Sequence, residues 1–477
     1  MIDGLKPYPV MKDSGAPWLG AVPKHWDVLR LGALLRERGE TNDNNSMTEV
    51  LSVMRERGVI PYAEKGNVGN KKSEDITRYK IVRPNDIVVN CMNVIIGSVG
   101  LSKYTGCLSP VYYVLTRRSE TDDAHYLNAY FQTKPFQLSL VRIGNGILAH
   151  RMRIPMELLK CEPFPRPPAD EQTAIVRFLE YADRRIKRYI RAKQKLIKLL
   201  EEQKQAIIHH AVTRGVDHSV RLRPSGVEWL GEVPEHWEVL PLKRLVARGT
   251  SISYGIVQPG PNVPGGIRFL QTTNISKPQL MVDALQCTSP EIAAAYPRSR
   301  LTGGEVILGI RASIGAAHVV PYELAGVNLS RGIARIATGP KIEADYLTLF
   351  LRSRATFEFW GVAKQGTTFN EVSIETVRAL PVVVPPLREQ TEIVHRTRNV
   401  CEHLNRSVSS AEQEIFLLRE YRTRLMTDVV TGKLDVREAA AQLPEEVPEV
   451  EPLDEMEDMP EDEGVADDEE LAAADAA

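Results

Sequence analysis

The sequence predicts an α+β protein: two copies of a mixed α/β domain, separated by two long antiparallel coiled-coil helices and related by a pseudo-two-fold axis. Three observations predict it. The stretch WLGAVPKHWDVL from Trp18 returns as WLGEVPEHWEVL from Trp229, an offset of 211. PPADEQTAIVRFLE from Pro167 returns as PPLREQTEIVHRTR from Pro385, and LLEEQKQAIIHHAVTRG from Leu199 as LLREYRTRLMTDVVTGK from Leu417, both offset by 218. Each copy closes on a long amphipathic helix. One unit of about 210 residues is duplicated in tandem, and 477 residues hold two such units comfortably.

Each copy starts with the Trp/Pro/His motif. Short β-branched runs follow, such as YKIVRPNDIVV, SPVYYVLT, GEVILGI and RGIARIA, punctuated by Gly, Pro and Asn; they read as strands and loops. RPNDIVVNCMNVIIGSVG matches TGGEVILGIRASIGAAH more loosely. A short helix interrupts them, DAHYLNAYFQT in one copy and EADYLTLFLRS in the other.

The closing helices begin after a double proline. Asp170, Glu171 and Glu389 put negative charge in the first turn, where the helix dipole favours it. Ile175, Leu179, Ile186, Ile197, Leu200 and Ile207 recur in the first helix, and Ile393, Val400, Leu404, Ile415, Leu418 and Leu425 in the second, mostly at steps of three and four or their sums. An amphipathic helix lying on its own domain would show a similar stripe. Two equivalent seams in one chain, however, have a partner in each other, and a two-fold relation makes them antiparallel. Forty-odd residues form a rod of about 60–65 Å. The expected domains are 1–168, the helix 169–220, 221–386, the helix 387–440, and a tail 441–477.

Charge is unevenly placed. The segment from Pro444 to Ala477 holds 16 Asp and Glu and no Lys or Arg. The remaining chain therefore carries 60 basic against 46 acidic residues, which suits a polyanionic partner. The tail is low-complexity and lacks aromatics, so it is expected to be a disordered, solvated appendage; the rival reading is competition with nucleic acid for the basic surface. No run of eighteen apolar residues spans a membrane, and the first residues lack the apolar core of a signal peptide. Five scattered cysteines without a CxxC fit a reducing cytoplasm and argue against zinc.

Catalytic signatures are absent: no phosphate loop, no paired-histidine zinc motif, no G-x-S-x-G elbow, and no Asn-Pro-Pro-aromatic segment. GNGILA from Gly144 spells a dinucleotide-type glycine pattern, but the second copy reads GTTFNE there; a loop facing a base or phosphate is the better reading. His25 and His236 recur between Pro and Trp. Their neighbour is Lys24 in one copy and Glu235 in the other, so a packed turn fits better than catalysis.

The paired WLGxVPxHW motifs, the PPxxEQ helix starts, the TxG helix ends and SISYGIVQPGPNVPGGIRFLQTTNI together resemble the specificity subunit of type I restriction–modification enzymes, over residues 1 to about 440. The resemblance implies two target-recognition domains, each reading one half of a bipartite double-stranded DNA site. It implies that the helices set the spacer and dock two methyltransferase subunits, with motor–nuclease subunits joining that core. It implies no cofactor in this chain; S-adenosylmethionine, ATP and Mg belong to the partners. The acidic tail departs from the family pattern. The two halves diverge between their scaffold motifs (GNGILAHRMRI against GTTFNEVSI), which predicts an asymmetric target.

Phosphates call for Lys and Arg, and base edges for forked donors. The first domain nominates Arg55, Arg57, Lys65, Lys71, Lys72, Asn90, Asn93, Asn145, His150 and Arg151. The second nominates Tyr254, Gln258, Arg268, Gln271, Asn274, Arg311, Ser313, Asn328, Arg331, Lys364, Gln365, Thr368 and Asn370. Each could instead be a solvated surface residue or a turn former, so the clusters carry more weight than their members. A coiled-coil scaffold that binds only proteins is the alternative; the basic body and the Asn/Gln/Arg-laden loops weigh against it.

Overall fold

A computed structural model gives the fold and describes residues 5–55, 57–66, 71–146, 152–217, 219–283, 285–364 and 371–444. Four helices organise it: α1 (Ala124–Phe131), α2 (Ala169–Arg214), α3 (Ala344–Leu351) and α4 (Leu387–Val430). The chain forms two compact units, Met1–Ala192 with Glu414–Ala477, and Lys193–Gln413, so the unit boundaries fall within the long helices.

The first unit is built on β1 (Asp27–Arg30), β2 (Leu35–Glu37), β3 (Leu51–Met54), β4 (Gly58–Pro61), β5 (Ile87–Asn90), β6 (Val99–Leu101), β7 (Tyr112–Arg117) and β8 (Pro163–Arg166). An antiparallel sheet runs in the order β2-β7-β5-β6, with Val114 opposite Val88. β1 pairs with β8, and β3 with β4 in a hairpin. The second unit has β9 (Glu238–Pro241), β10 (Ser253–Tyr254), β11 (Ile267–Leu270), β12 (Val306–Gly309), β13 (Ala317–Val319), β14 (Asn328–Leu329), β15 (Ile333–Ile336) and β16 (Pro381–Val384). Its sheet, β10-β15-β12-β13, repeats the first in topology, and β9 pairs with β16 as β1 does with β8. The central strands are apolar on both faces because α1 or α3 covers one side, and the β3–β4 hairpin in the first unit, or β11 and β14 in the second, packs on the other. A buried acid sits at the same place in each frame. Asp86 holds Arg38 through two bonds of 2.9 Å, and Glu305 holds Arg335 at 2.6 and 3.0 Å.

The duplicated motifs meet in space. Trp26 Nε1 donates to Glu171 at 2.9 Å, and Trp237 Nε1 to Glu389 at 2.9 Å. His25 and His236 bond the same carboxylates at 2.8 and 2.9 Å, and in the first unit Tyr8 adds a third donor. Burial and the Glu171 carboxylate push the Tyr8 hydroxyl well above its usual range, so it remains a donor. The next residue, Gln172 or Gln390, accepts from the backbone N–H of Asp123 or Glu343 at 2.8 Å and so ties the start of the long helix to the short one.

The same tryptophans receive the end of the other long helix. Gly432 follows α4 and Gly215 follows α2, with φ of 75° and 80°. A Cβ on Gly432 would lie 2.9 Å from the Trp26 ring, and one on Gly215 3.1 Å from the Trp237 ring. Left-handed backbone and close approach both require glycine there. Tyr126 Oη donates to the Val430 carbonyl at 3.2 Å, and its repeat-mate Tyr346 to Val212 at 3.3 Å. In each unit, therefore, one repeat's domain closes on the last turn of the other repeat's helix.

Within the first unit α2 and α4 run antiparallel: Ile175, Phe178 and Ala182 share a core with Leu425, Val429 and Val430, and Asp183 pairs with Arg422. In the second, Ala211, Val212 and Ile393 share a core and Lys204 meets Asn405 at 3.1 Å. Of the expected seam, Ile175, Ile186, Ile393, Ile415 and Leu425 are buried, and Leu179, Ile197, Leu200, Ile207, Leu404 and Leu418 half-buried. Val400 is a correction: it is 44% exposed. At 3.6 residues per turn, the inward positions after Ile393 fall to Thr397, Cys401 and Leu404. The amphipathic alternative also holds at the helix ends, which lie in the domain cores. No helix among the described residues is long and apolar enough to cross a membrane.

Candidate nucleic-acid interface

In the second unit three of the nominated residues, Gln271, Arg311 and Arg331, line one cleft. It has a volume of about 340 Å³, and its lining includes Ile256, Gln271, Thr272, Arg311, Ser330 and Arg331. Three backbone bonds weave its walls: Ile256 N to Leu329 O at 2.7 Å, Ser330 N to Leu270 O at 2.8 Å, and Arg331 N to Ile256 O at 2.7 Å. Arg311 and Arg331 are exposed. Arg331 is steered by Glu371 at 3.2 Å, and the backbone of Arg311 bridges to the same glutamate. Ala312 between Arg311 and Ser313 has φ of 58°, a left-handed conformation that costs a non-glycine residue energy.

Gln271 caps the short helix Thr272–Ile275 in a reciprocal pair with Asn274, and its amide donates to Gln286 at 3.2 Å. Both side chains are thus held on the rim. Ser313 is half-buried against Thr272, with Oγ 3.4 Å from its carbonyl. Arg268, Gln258 and Tyr254 are exposed, on β11, on the loop after β10, and on β10. Asn328 is a correction: it is 1% exposed, and its amide donates to Ser299 Oγ at 3.1 Å, so it braces β14 and reaches no surface. Lys364 ends the helix Arg354–Lys364; Gln365, Thr368 and Asn370 lie outside the described residues.

In the first unit the nominated residues form two groups. Arg55 and Arg57 lie in the β3–β4 turn; Arg57 donates to the Glu64 carbonyl at 3.2 Å. Lys65 and Lys72 flank the Tyr62 ring at 5.1 and 6.0 Å from its centroid, and the Tyr62 hydroxyl accepts from Lys72 N at 2.9 Å. Lys71 is exposed beside them. The tyrosine holds two cations at one edge of the hairpin.

Asn90, Asn93 and Asn145 form the second group. Asn90 ends β5 and its side chain accepts from Met92 N at 3.0 Å; Asn93 N bonds the Asn90 carbonyl at 3.1 Å. Asn145 and Arg153 exchange two bonds of 2.9 Å, and Ile154 N reaches Cys91 O at 3.0 Å. A loop stem therefore rises beside the end of β5. His150 and Arg151, within that loop, lie outside the described residues. Ser98 joins the two groups, because its carbonyl accepts from Asn90 N at 3.0 Å and its hydroxyl donates to Val53 O at 3.3 Å.

The second unit repeats one bond of this stem, Val372 N to Ile310 O at 2.8 Å, but its bridge joins Glu371 to Arg311 just past the end of β12. Just before that shared bond the first frame presents Arg153, bridged to Asn145, and the second presents Glu371, bridged to Arg311. The sequence alone gives no signal for Glu371, because donors rather than acids mark a nucleic-acid surface. It also misses Thr272 and Ser330 as lining, since small hydroxyls carry no local signal. Among the described residues no cluster of His, Cys, Asp and Glu could hold a metal ion.

Comparison with known proteins agrees with the duplicated frame. Residues 236–411 match the model of the type I restriction modification DNA specificity domain. A putative type I restriction enzyme MjaX specificity subunit from Methanocaldococcus jannaschii is 22% identical, over 88% of this chain and 96% of its own. The type I restriction enzyme EcoBI specificity subunit from Escherichia coli is 22% identical, over 76% of this chain and 75% of its own. A solved chain, described as showing the structural basis of complex assembly and conformational transition of the type I R-M system, shares the fold with a TM-score of 0.62 at 16% identity, covering 86% of this chain and 98% of that one. With likenesses that run through both repeats and the type I specificity domain matched on the second, the chain is similar to the specificity subunits of type I restriction–modification enzymes.

Proposed function

We propose that this chain gives a type I restriction–modification complex its DNA sequence, one half-site per unit. One observation carries this reading. Two units share a sheet, a helix start and a loop-stem bond, yet display different side chains beside it: Arg153 bridged to Asn145 in one, Glu371 bridged to Arg311 in the other. A common frame with unlike readers suits a bipartite, asymmetric duplex target. The exposed arginines and lysines around each stem serve phosphates, and the steered Arg331 serves a base edge.

The chain performs no chemistry in this reading. Two methyltransferase subunits dock on the paired helices and bring S-adenosylmethionine; motor–nuclease subunits join that core and bring ATP and Mg. The complex works in the cytoplasm, and five free thiols suit a reducing compartment. The test is a duplex-binding titration with the methyltransferase partner present, across target variants and salt concentrations. Binding that falls with salt and discriminates at both half-sites is expected. Binding blind to sequence would remove the reading role.

A further inference from the structure

Helix α2 carries a second stripe beside its apolar seam. Arg177, Arg184, Arg188 and Arg191 follow at steps of seven, four and three, so they share one face, and all four are exposed. They sit two residues along from the inward Ile175, Ala182 and Ile186, roughly on the opposite side. The helix holds eight Lys and Arg and no Asp or Glu from 184 to 198. Glu180 answers Arg184 at 3.2 Å, while Arg188 and Arg191 make no ion pair among the described residues. Like charges at these spacings repel and weigh on the helix, so the stripe gains from a polyanion.

The low-numbered end of the stripe already holds the root of one. Arg177 Nη2 donates to the carbonyl oxygens of Leu443 at 2.8 Å and Pro444 at 3.4 Å. From Pro444 the chain continues into its acidic segment, with eleven Asp and Glu between 445 and 463. Fourteen helical residues, from 177 to 191, span about 21 Å. Nineteen extended residues reach about 60 Å, so length does not limit the contact.

We propose that residues 445–463 lie back along the Arg177–Arg191 face as an intramolecular polyanion, which a nucleic-acid backbone must displace. The docking half of this proposal stands without the proposed function, and the displacement half rests on it. Displacement would suppress weak, sequence-blind binding more than specific binding, because sequence-blind binding is nearly all electrostatic.

The test uses the full chain with Arg188→Lys and Arg191→Lys, which keep the charge and supply amines for zero-length carbodiimide coupling. Mass spectrometry should find linkages from positions 188 and 191 to carboxylates within 445–463, lost at about 1 M salt where screening is short-ranged. Linkages only to Glu180 and other carboxylates of the folded part, or tail linkages indifferent to salt, would overturn docking. A second full-length variant changes the eleven carboxylates to amides. It should bind non-specific duplex on the order of tenfold more tightly at low salt, and the gain should vanish when Arg184, Arg188 and Arg191 become Gln. A gain that survives those changes, or no gain at all, overturns displacement by this face. Failure of every form to bind duplex would count against DNA reading itself, while the coupling result would still decide docking.

Discussion

Glu171 accepts from Tyr8, His25 and Trp26, and Glu389 from His236 and Trp237, so each acid holds a motif about 150 residues away in sequence. The Glu171 side chain is 3% exposed and the Glu389 side chain 38%. Losing the buried acceptor leaves three donors short, whereas water can replace the other. Glu171→Ala should therefore lower unfolding stability by about 1–3 kcal/mol and Glu389→Ala by clearly less, as read from paired denaturant titrations. Arg311→Ala or Arg331→Ala should weaken target binding by roughly 1–3 kcal/mol, unequally across target variants, if the residue reads a base. Equal loss on every sequence would demote it to a phosphate contact. His318 adds a pH term. Burial pushes its pKa below 6.5, although the Ile275 carbonyl at 3.0 Å opposes this. The folded state thus prefers the neutral ring. Its contribution is full above the unfolded value near 6.5 and is lost as pH falls below it. His318→Gln, which keeps a donor for Ile275, should flatten the fall in melting temperature between about pH 6.5 and 5.

At the scale of elements, periodicity made the long helices legible, since an apolar residue every three or four positions has few other causes. Their starts were equally plain from Pro168 and Pro386 with acids just beyond. The middle of the second seam was not, because Thr397 and Cys401 face inward there while Val400, the apolar residue, faces water. Asn328 misled for the reverse reason: a polar residue in a strand run reads as exposed until a partner such as Ser299 is seen. The histidines' partners were illegible as well, because no local pattern pairs His25 with Glu171. Tyr126 and Tyr346 show what the elements do together. Each hydroxyl tethers the last turn of the helix that belongs to the other repeat. Tyr126→Phe should loosen the end of α4 and Tyr346→Phe the end of α2, each by about 1 kcal/mol. Hydrogen exchange should accelerate at those turns respectively, and acceleration at the variant's own helix would contradict the crossed arrangement.

At the scale of the molecule, the duplication answers why one chain spells WLGxVPxHW twice. Each tryptophan is the node where one long helix begins and the other ends, at Glu171 and Gly432 in one unit and at Glu389 and Gly215 in the other. In the proposed reading each repeat supplies one reader, and the long helices set the spacer between their half-sites. Which bases they read was not legible, because loop residues act through geometry that composition does not encode. The most direct measurement inserts one heptad at matched positions in α2 and α4 and maps methylated bases across the host genome. About 10 Å of added rod, at 3.4 Å per base pair, should lengthen the unspecified spacer by about 3 bp and leave both half-site sequences unchanged. An unchanged spacer with methylation retained, or a change in either half-site, would contradict the account.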